Sequence, residues 1–264
     1  MLNDGYKNFM NDNFKQLLVI ALSLVFGVIL ALTLSPKAKA SCYSEVKYPH
    51  ESTETVAGRT YLQVVPDNYN SRVRGNLIIQ FHGYGMNPAW MRQLAGSLEK
   101  YAGDNSIFFY PATNGPAWQV MQGGPDVQFF DSMVREAARK FCIGKVFVTG
   151  YSNGAFFVNW LTSQRRQSIT AVASVAGGGS YGTSIPAAVV HGYQDSWVSF
   201  SAGNMTRQGY AATNLCTGWV PTPPNECQRA VGCKRGEVIW CPWNGNHDWP
   251  WFASGAIWDL FKRY

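Results

Sequence analysis

The sequence predicts one α/β domain built on a mainly parallel central sheet with helices on both faces. Three observations predict it. From Thr60 onward, short β-branched or aromatic runs alternate with segments of helical period, as in a sheet whose strands are joined by crossover helices. The chain has 264 residues, 46% hydrophobic and 14% charged, which suits one core of this class. Residues 146–155, VFVTGYSNGA, join an apolar run to a second one through Gly-Tyr-Ser-Asn-Gly. No internal repeat or low-complexity linker divides the chain.

The elements follow in order. Residues 61–65 read as a strand closed by Pro66-Asp67-Asn68, and residues 77–81 as a short buried strand. Asn87-Pro88 supplies an N-cap and a first helical residue for a helix running to about Tyr101. Residues 106–110 form the next strand, stopped by Pro111. Over residues 126–141, Val127, Phe130, Val134, Ala137 and Phe141 recur at helical spacing. Strand 145–149 precedes the glycine turn and helix 155–162 follows it. Strands 171–176, 187–190 and 237–241 come next, and helix 253–263 ends the chain.

The first forty residues differ in kind. Lys7 and Lys15 precede an apolar stretch over residues 17–34, followed by Ser35-Pro36 and Ala38-Lys39-Ala40. This is the plan of a secretory signal peptide cut before Ser41; left uncut, the 18-residue stretch reaches the length of a membrane anchor. Either way residues 41–264 are expected outside the cytoplasm, touching a membrane only if the segment is kept. All six cysteines (Cys42, Cys142, Cys216, Cys227, Cys233, Cys241) follow the cut. An even number in an exported domain reads as three disulfides, with 15 possible pairings. No C-x-x-C pair or HExxH occurs, so no metal site and no cofactor are expected. Beyond residue 40 the chain keeps 18 basic and 14 acidic residues, net +4, without a basic stripe. No nucleic-acid or protein partner is expected from such a surface.

A Gly-x-Ser-x-Gly arises by chance in roughly one chain in ten of this length, so its setting decides. Strand, Gly150, Ser152, Gly154 and helix occur in the order that puts a nucleophile at the tip of a sharp turn. A serine hydroxyl needs a base to take its proton, and the base needs an acid to orient it. Two histidines follow Ser152. His191 ends a strand and reads as a structural residue. His247 lies in a loop between the last strand and the last helix, where such sheets put their chemistry. Asp195, four residues past His191, is the acid. Glu226 lies in a Pro- and Cys-bounded insertion, Asp248 is too close in sequence to His247, and Asp259 lies near the end of the last helix. The backbone N–H groups of Asn153 and Tyr84 are expected to form the oxyanion hole; Tyr84 follows a His82-Gly83 turn at a strand end. Among ten tryptophans, Trp249 and Trp251 flank His247, and with Trp118 they are candidate substrate-stacking residues.

With these residues placed, the chain resembles the secreted feruloyl esterase and polyhydroxybutyrate depolymerase group of α/β-hydrolases. The likeness rests on His82-Gly83, Tyr110-Pro111 with Asn114-Gly115 and Trp118, and Asp126-Val127 with Phe129-Phe130. It continues through GYSNG, HGYQD at Asp195, GNHDWP at His247 and Ala256-Ile257-Trp258. The resemblance implies the α/β-hydrolase fold and the triad Ser152, Asp195 and His247. It also implies a Cys42–Cys142 bridge and two bridges among the last four cysteines, read here as Cys216–Cys233 and Cys227–Cys241. Asn246 and Ala155 depart mildly from the group's usual residues. The expectation is an exported serine carboxylic-ester hydrolase, feruloyl-esterase-like, acting without cofactor on xylan-linked esters of plant cell walls. Polyhydroxybutyrate or other polyester hydrolysis uses the same triad. A reading of another class is a non-catalytic carbohydrate-binding protein.

Overall fold

The computed structural model describes Cys42 and residues 47–264. The expected signal peptide or anchor, residues 1–40, lies outside the described residues. Among the described residues ten strands form one sheet: β1 (Glu51–Val56), β2 (Arg59–Val64), β3 (Gly75–Phe81), β4 (Ser106–Pro111), β5 (Ile143–Tyr151), β6 (Ala171–Val175), β7 (Ala187–Gly192), β8 (Gly218–Thr222), β9 (Cys227–Val231) and β10 (Val238–Trp243). Their order is β1-β2-β4-β3-β5-β6-β7-β10-β9-β8. The central neighbours β4, β3, β5, β6, β7 and β10 pair in parallel. Antiparallel pairs close both edges.

Six helices among the described residues cover the sheet: α1 (Pro88–Ala95), α2 (Ser97–Ala102), α3 (Pro125–Lys140), α4 (Asn153–Gln164), α5 (Phe200–Thr213) and α6 (Ala253–Phe261). Strand alternation sends side chains to opposite faces, and two core layers result. On one face Leu77, Ile79 and Phe81 of β3 and Val146 and Val148 of β5 pack with Phe130 and Met133 of α3 and Phe157 and Leu161 of α4. On the other, Ile78 and Phe147 meet Met91 of α1, Leu98 of α2 and Ile257, Leu260 and Phe261 of α6. Each such buried side chain contributes about 1.5–3 kcal/mol of transfer free energy.

The single helix expected from Asn87 to about Tyr101 is two. Asn87 caps α1 by accepting the Trp90 N–H at 3.0 Å, and Pro88 opens it. At Gly96 the chain turns so tightly that a Cβ would lie 2.3 Å from the Arg92 carbonyl oxygen. The disulfides pair Cys42 with Cys142, Cys216 with Cys233 and Cys227 with Cys241. The last joins β9 to β10 and so braces the strand that leads to His247.

Candidate active site

The glycines at the β5–α4 turn are there for close approach. A Cβ on Gly154 would lie 2.2 Å from the Phe81 carbonyl oxygen and 2.6 Å from that of His82. Between Gly150 and Gly154 the backbone reverses through Ser152 at φ 54°, ψ −119°, a strained conformation for a residue with a side chain. Such a turn lifts the hydroxyl above the sheet's carboxyl edge. Gly154→Ala is expected to destabilise the fold by about 3 kcal/mol, because the neighbours it strikes are backbone. Thermal unfolding checks this: a melting temperature equal to wild type would contradict the packing described.

Three chain-distant groups meet at this turn. His247 Nε2 lies 2.9 Å from Ser152 Oγ, and His247 Nδ1 lies 2.8 Å from Asp195 Oδ2. The Asp195 side chain is fully buried, and that of His247 is 13% exposed. Asp195 Oδ1 accepts the N–H of Trp197 at 2.9 Å and of Val198 at 2.8 Å, so the loop after β7 wraps its own carboxylate. A carboxylate can only accept, which puts a proton on His247 Nδ1 and leaves Nε2 free to take one from Ser152.

Asn153 is the first residue of α4, so its N–H lacks an intrahelical acceptor and sits at the positive end of the helix. Its side-chain Oδ1 accepts the Trp118 N–H at 2.7 Å. Tyr84 lies in the turn after β3, and its ring is largely exposed. Gly83 is packed against Ser152: a Cβ there would stand 3.3 Å from Ser152 Cβ. The two backbone groups expected to hold an oxyanion therefore come from segments adjoining Ser152.

No protein-family model matches the chain. It is 27% identical over 252 residues to the Probable feruloyl esterase C of Aspergillus clavatus, covering 86% of this chain and 91% of that protein. It is 28% identical over 239 residues to feruloyl esterase D of Neurospora crassa, covering 78% and 82%. The acetyl xylan esterase from Aspergillus awamori matches its fold with a TM-score of 0.65 at 16% identity, over 80% of this chain and 98% of that one. The CE1 ferulic acid esterase of Anaeromyces mucronatus matches with a TM-score of 0.53 at 13% identity, covering 84% and 93%. The chain is a feruloyl-esterase-like ester hydrolase of the α/β-hydrolase fold.

In this hydrolase two of the three candidate stacking residues have other tasks. Trp118 is 3% exposed; its indole N–H donates to the His82 carbonyl at 2.8 Å, and its ring packs on Phe81 and Phe157. It braces the His82-Gly83 turn from inside. Trp249 is 7% exposed, and its indole N–H donates to Ser254 Oγ at 3.1 Å. Both are core residues and not stacking platforms, since rings that are buried with their polar atoms satisfied offer no face to a ligand. Trp251 is exposed. His191 is wholly buried under Asp195, with Nε2 2.9 Å from the Val198 carbonyl and 3.4 Å from Asp195 Oδ2.

Several residues that hold the site together are given no supporting role by the sequence alone. The Tyr151 hydroxyl donates to the His247 carbonyl at 2.9 Å. Burial, with the charges of Asp248 and Asp195 nearby, pushes its pKa up to about 12, so it stays a neutral donor. Asn246 Oδ1 accepts the N–H groups of Ser196 at 3.0 Å and His247 at 2.8 Å, linking the loop after β7 to the loop after β10. Arg59 donates to Asp126 at 2.5 Å in a buried pair. Asp126 also accepts the Gln119 N–H at 2.7 Å, which fixes the loop carrying Trp118.

His82 and His191 are both buried, and burial lowers each pKa from the ordinary 6.5. On unfolding, each recovers its ordinary affinity for a proton. Their contribution to stability is therefore full above about pH 6.5 and is lost as pH falls toward the lower folded-state values. The melting temperature is expected to drop on acidification from pH 7.5 to 5, and less steeply in His82→Gln. A melting temperature that rises over that interval would contradict the burial of these rings as neutral groups.

Proposed function

We propose that the chain hydrolyses hydroxycinnamoyl esters of plant cell-wall polysaccharide through an acyl-enzyme on Ser152. The observation that carries this reading is the unbroken chain of contacts from Ser152 Oγ through His247 to Asp195. The names of the feruloyl esterase relatives supply the substrate class. Ser152 Oγ attacks the ester carbonyl carbon as His247 Nε2 takes its proton. The carbonyl oxygen, now an oxyanion, is held by the N–H groups of Asn153 and Tyr84. Collapse breaks the bond to the alcohol oxygen, which leaves with the proton from His247. Water then attacks the acyl carbon, giving a proton to His247, and Ser152 departs with that proton as the acid is released.

Three disulfides suit an oxidising compartment, and we infer that residues 1–40 direct export and are removed. N-terminal sequencing of the exported protein should begin at Ser41; a chain retaining residues 1–40 would be anchored instead. Among the described residues, no helix is long and apolar enough to cross a membrane.

The substrate class is tested by assaying the purified domain on methyl ferulate, acetylated xylan and polyhydroxybutyrate granules. Turnover of methyl ferulate well above the other two is expected. Clearing of granules with methyl ferulate left intact would redirect the same triad to polyesters.

A further inference from the structure

Exposed tyrosine and tryptophan rings gather where the parallel strands end. Tyr84 follows β3, Tyr193 and Trp197 follow β7, and Trp251 follows β10; all four are exposed, Trp197 the most at 84%. Isolated exposed apolar residues need no explanation, but several together on the edge that carries Ser152 and His247 mark a contact surface. Trp197 stands out within this set because its ring centroid lies 6.4 Å from that of His247. Its backbone is also fixed by the triad, since its N–H donates to Asp195 Oδ1 while Oδ2 of the same carboxylate faces His247. The exposed indole is therefore registered against the imidazole through one buried side chain.

The chemistry gives that position a meaning. His247 returns its proton to the departing alcohol oxygen, so the part of the ester nearest the imidazole is the alcohol and not the acyl group. The carbonyl oxygen belongs with Asn153 and Tyr84. An indole beside the imidazole therefore meets whatever is attached to the leaving oxygen. In a cell-wall ester that group is a sugar, which presents a flat C–H face to an aromatic ring. We infer that Trp197 is a specificity-determining platform for the glycosyl alcohol, favouring sugar esters over simple alkyl esters. This rests on the ester-hydrolase reading above and adds the alcohol side of the substrate to it.

The test compares wild type, Trp197→Ala and Trp197→Phe on a feruloylated arabinoxylan oligosaccharide and on methyl ferulate. Truncating the ring leaves the backbone bond to Asp195 in place. The ratio of kcat/KM for the sugar ester to that for methyl ferulate is expected to fall about tenfold in Trp197→Ala, chiefly through KM, and to recover partly in Trp197→Phe. An unchanged ratio, whether both activities fall together or neither moves, would overturn the platform while leaving the hydrolase reading standing. A folded wild type inactive on both esters would overturn that reading, and the platform with it.

Discussion

Ser152→Ala is expected to lower kcat on methyl ferulate by about 10⁶-fold while leaving the melting temperature within a few degrees of wild type. Removing the nucleophile of a serine hydrolase costs about that much, because the base and the acid have nothing left to activate. The fold should tolerate the change. The Ser152 hydroxyl bonds to His247, whereas the strained turn is held by backbone: Ser152 N–H donates to the Val175 carbonyl at 3.0 Å, and its own carbonyl accepts from Ala155 at 2.9 Å. Alanine keeps the Cβ that the φ of 54° already accommodates. Near-wild-type turnover in this variant would mean that another group attacks the ester.

Asp195→Asn is expected to lower kcat by about 10⁴-fold with KM little changed. The two backbone N–H groups on Oδ1 dictate how an amide would sit. Its oxygen must take their place, which turns the NH₂ toward His247 Nδ1. A donor there forces Nδ1 to accept, the imidazole proton moves to Nε2, and the ring then has no lone pair for Ser152. His191 makes that orientation costly to stability as well. The Val198 carbonyl can only accept, so His191 Nε2 carries a proton, and it lies 3.4 Å from the Oδ2 position that the NH₂ would occupy. Activity in Asp195→Asn above about a tenth of wild type would show that the carboxylate is not what orients the imidazole.

The parallel centre of the sheet was legible because its strands are buried on both faces and read as continuous apolar runs. Residues 77–81, 106–110 and 171–175 are of this kind. The edges were not. β1 is Glu-Ser-Thr-Glu-Thr-Val, half exposed and with few apolar residues to mark a strand; it exists by pairing with β2. The hairpin β8–β9 is likewise only partly buried. α5 carries Gly203 and Gly209 and shows little apolar periodicity, yet Gly203 lets the helix lie so close to His191 that a Cβ would stand 2.4 Å from its ring.

Within the candidate site, Ser152, His247 and Asp195 could be singled out because each sits at a punctuated strand end, in an order the fold constrains. Their supports could not. Tyr151 and His247 are 96 residues apart, and Ser196 and Asn246 are 50 apart; such contacts are made only by the folded sheet. Tryptophans beside the catalytic loops can face inward or outward, and the sequence does not distinguish them. Trp118 and Trp249 went inward because His82 and Ser254 offer acceptors for their indole N–H groups. Trp197 stayed outside because the turn around Asp195 uses its backbone and not its ring.

Covalent labelling tests the central claim, that Ser152 is the nucleophile, most directly. A fluorophosphonate accepts attack by an activated serine oxygen at phosphorus and loses fluoride, leaving a stable adduct that intact-mass measurement and peptide mapping can locate. One adduct per chain is expected, on the peptide containing Ser152, with ester hydrolysis lost in proportion and no labelling of Ser152→Ala. A single adduct on a different residue, or full hydrolytic activity in a chain quantitatively labelled at Ser152, would contradict it.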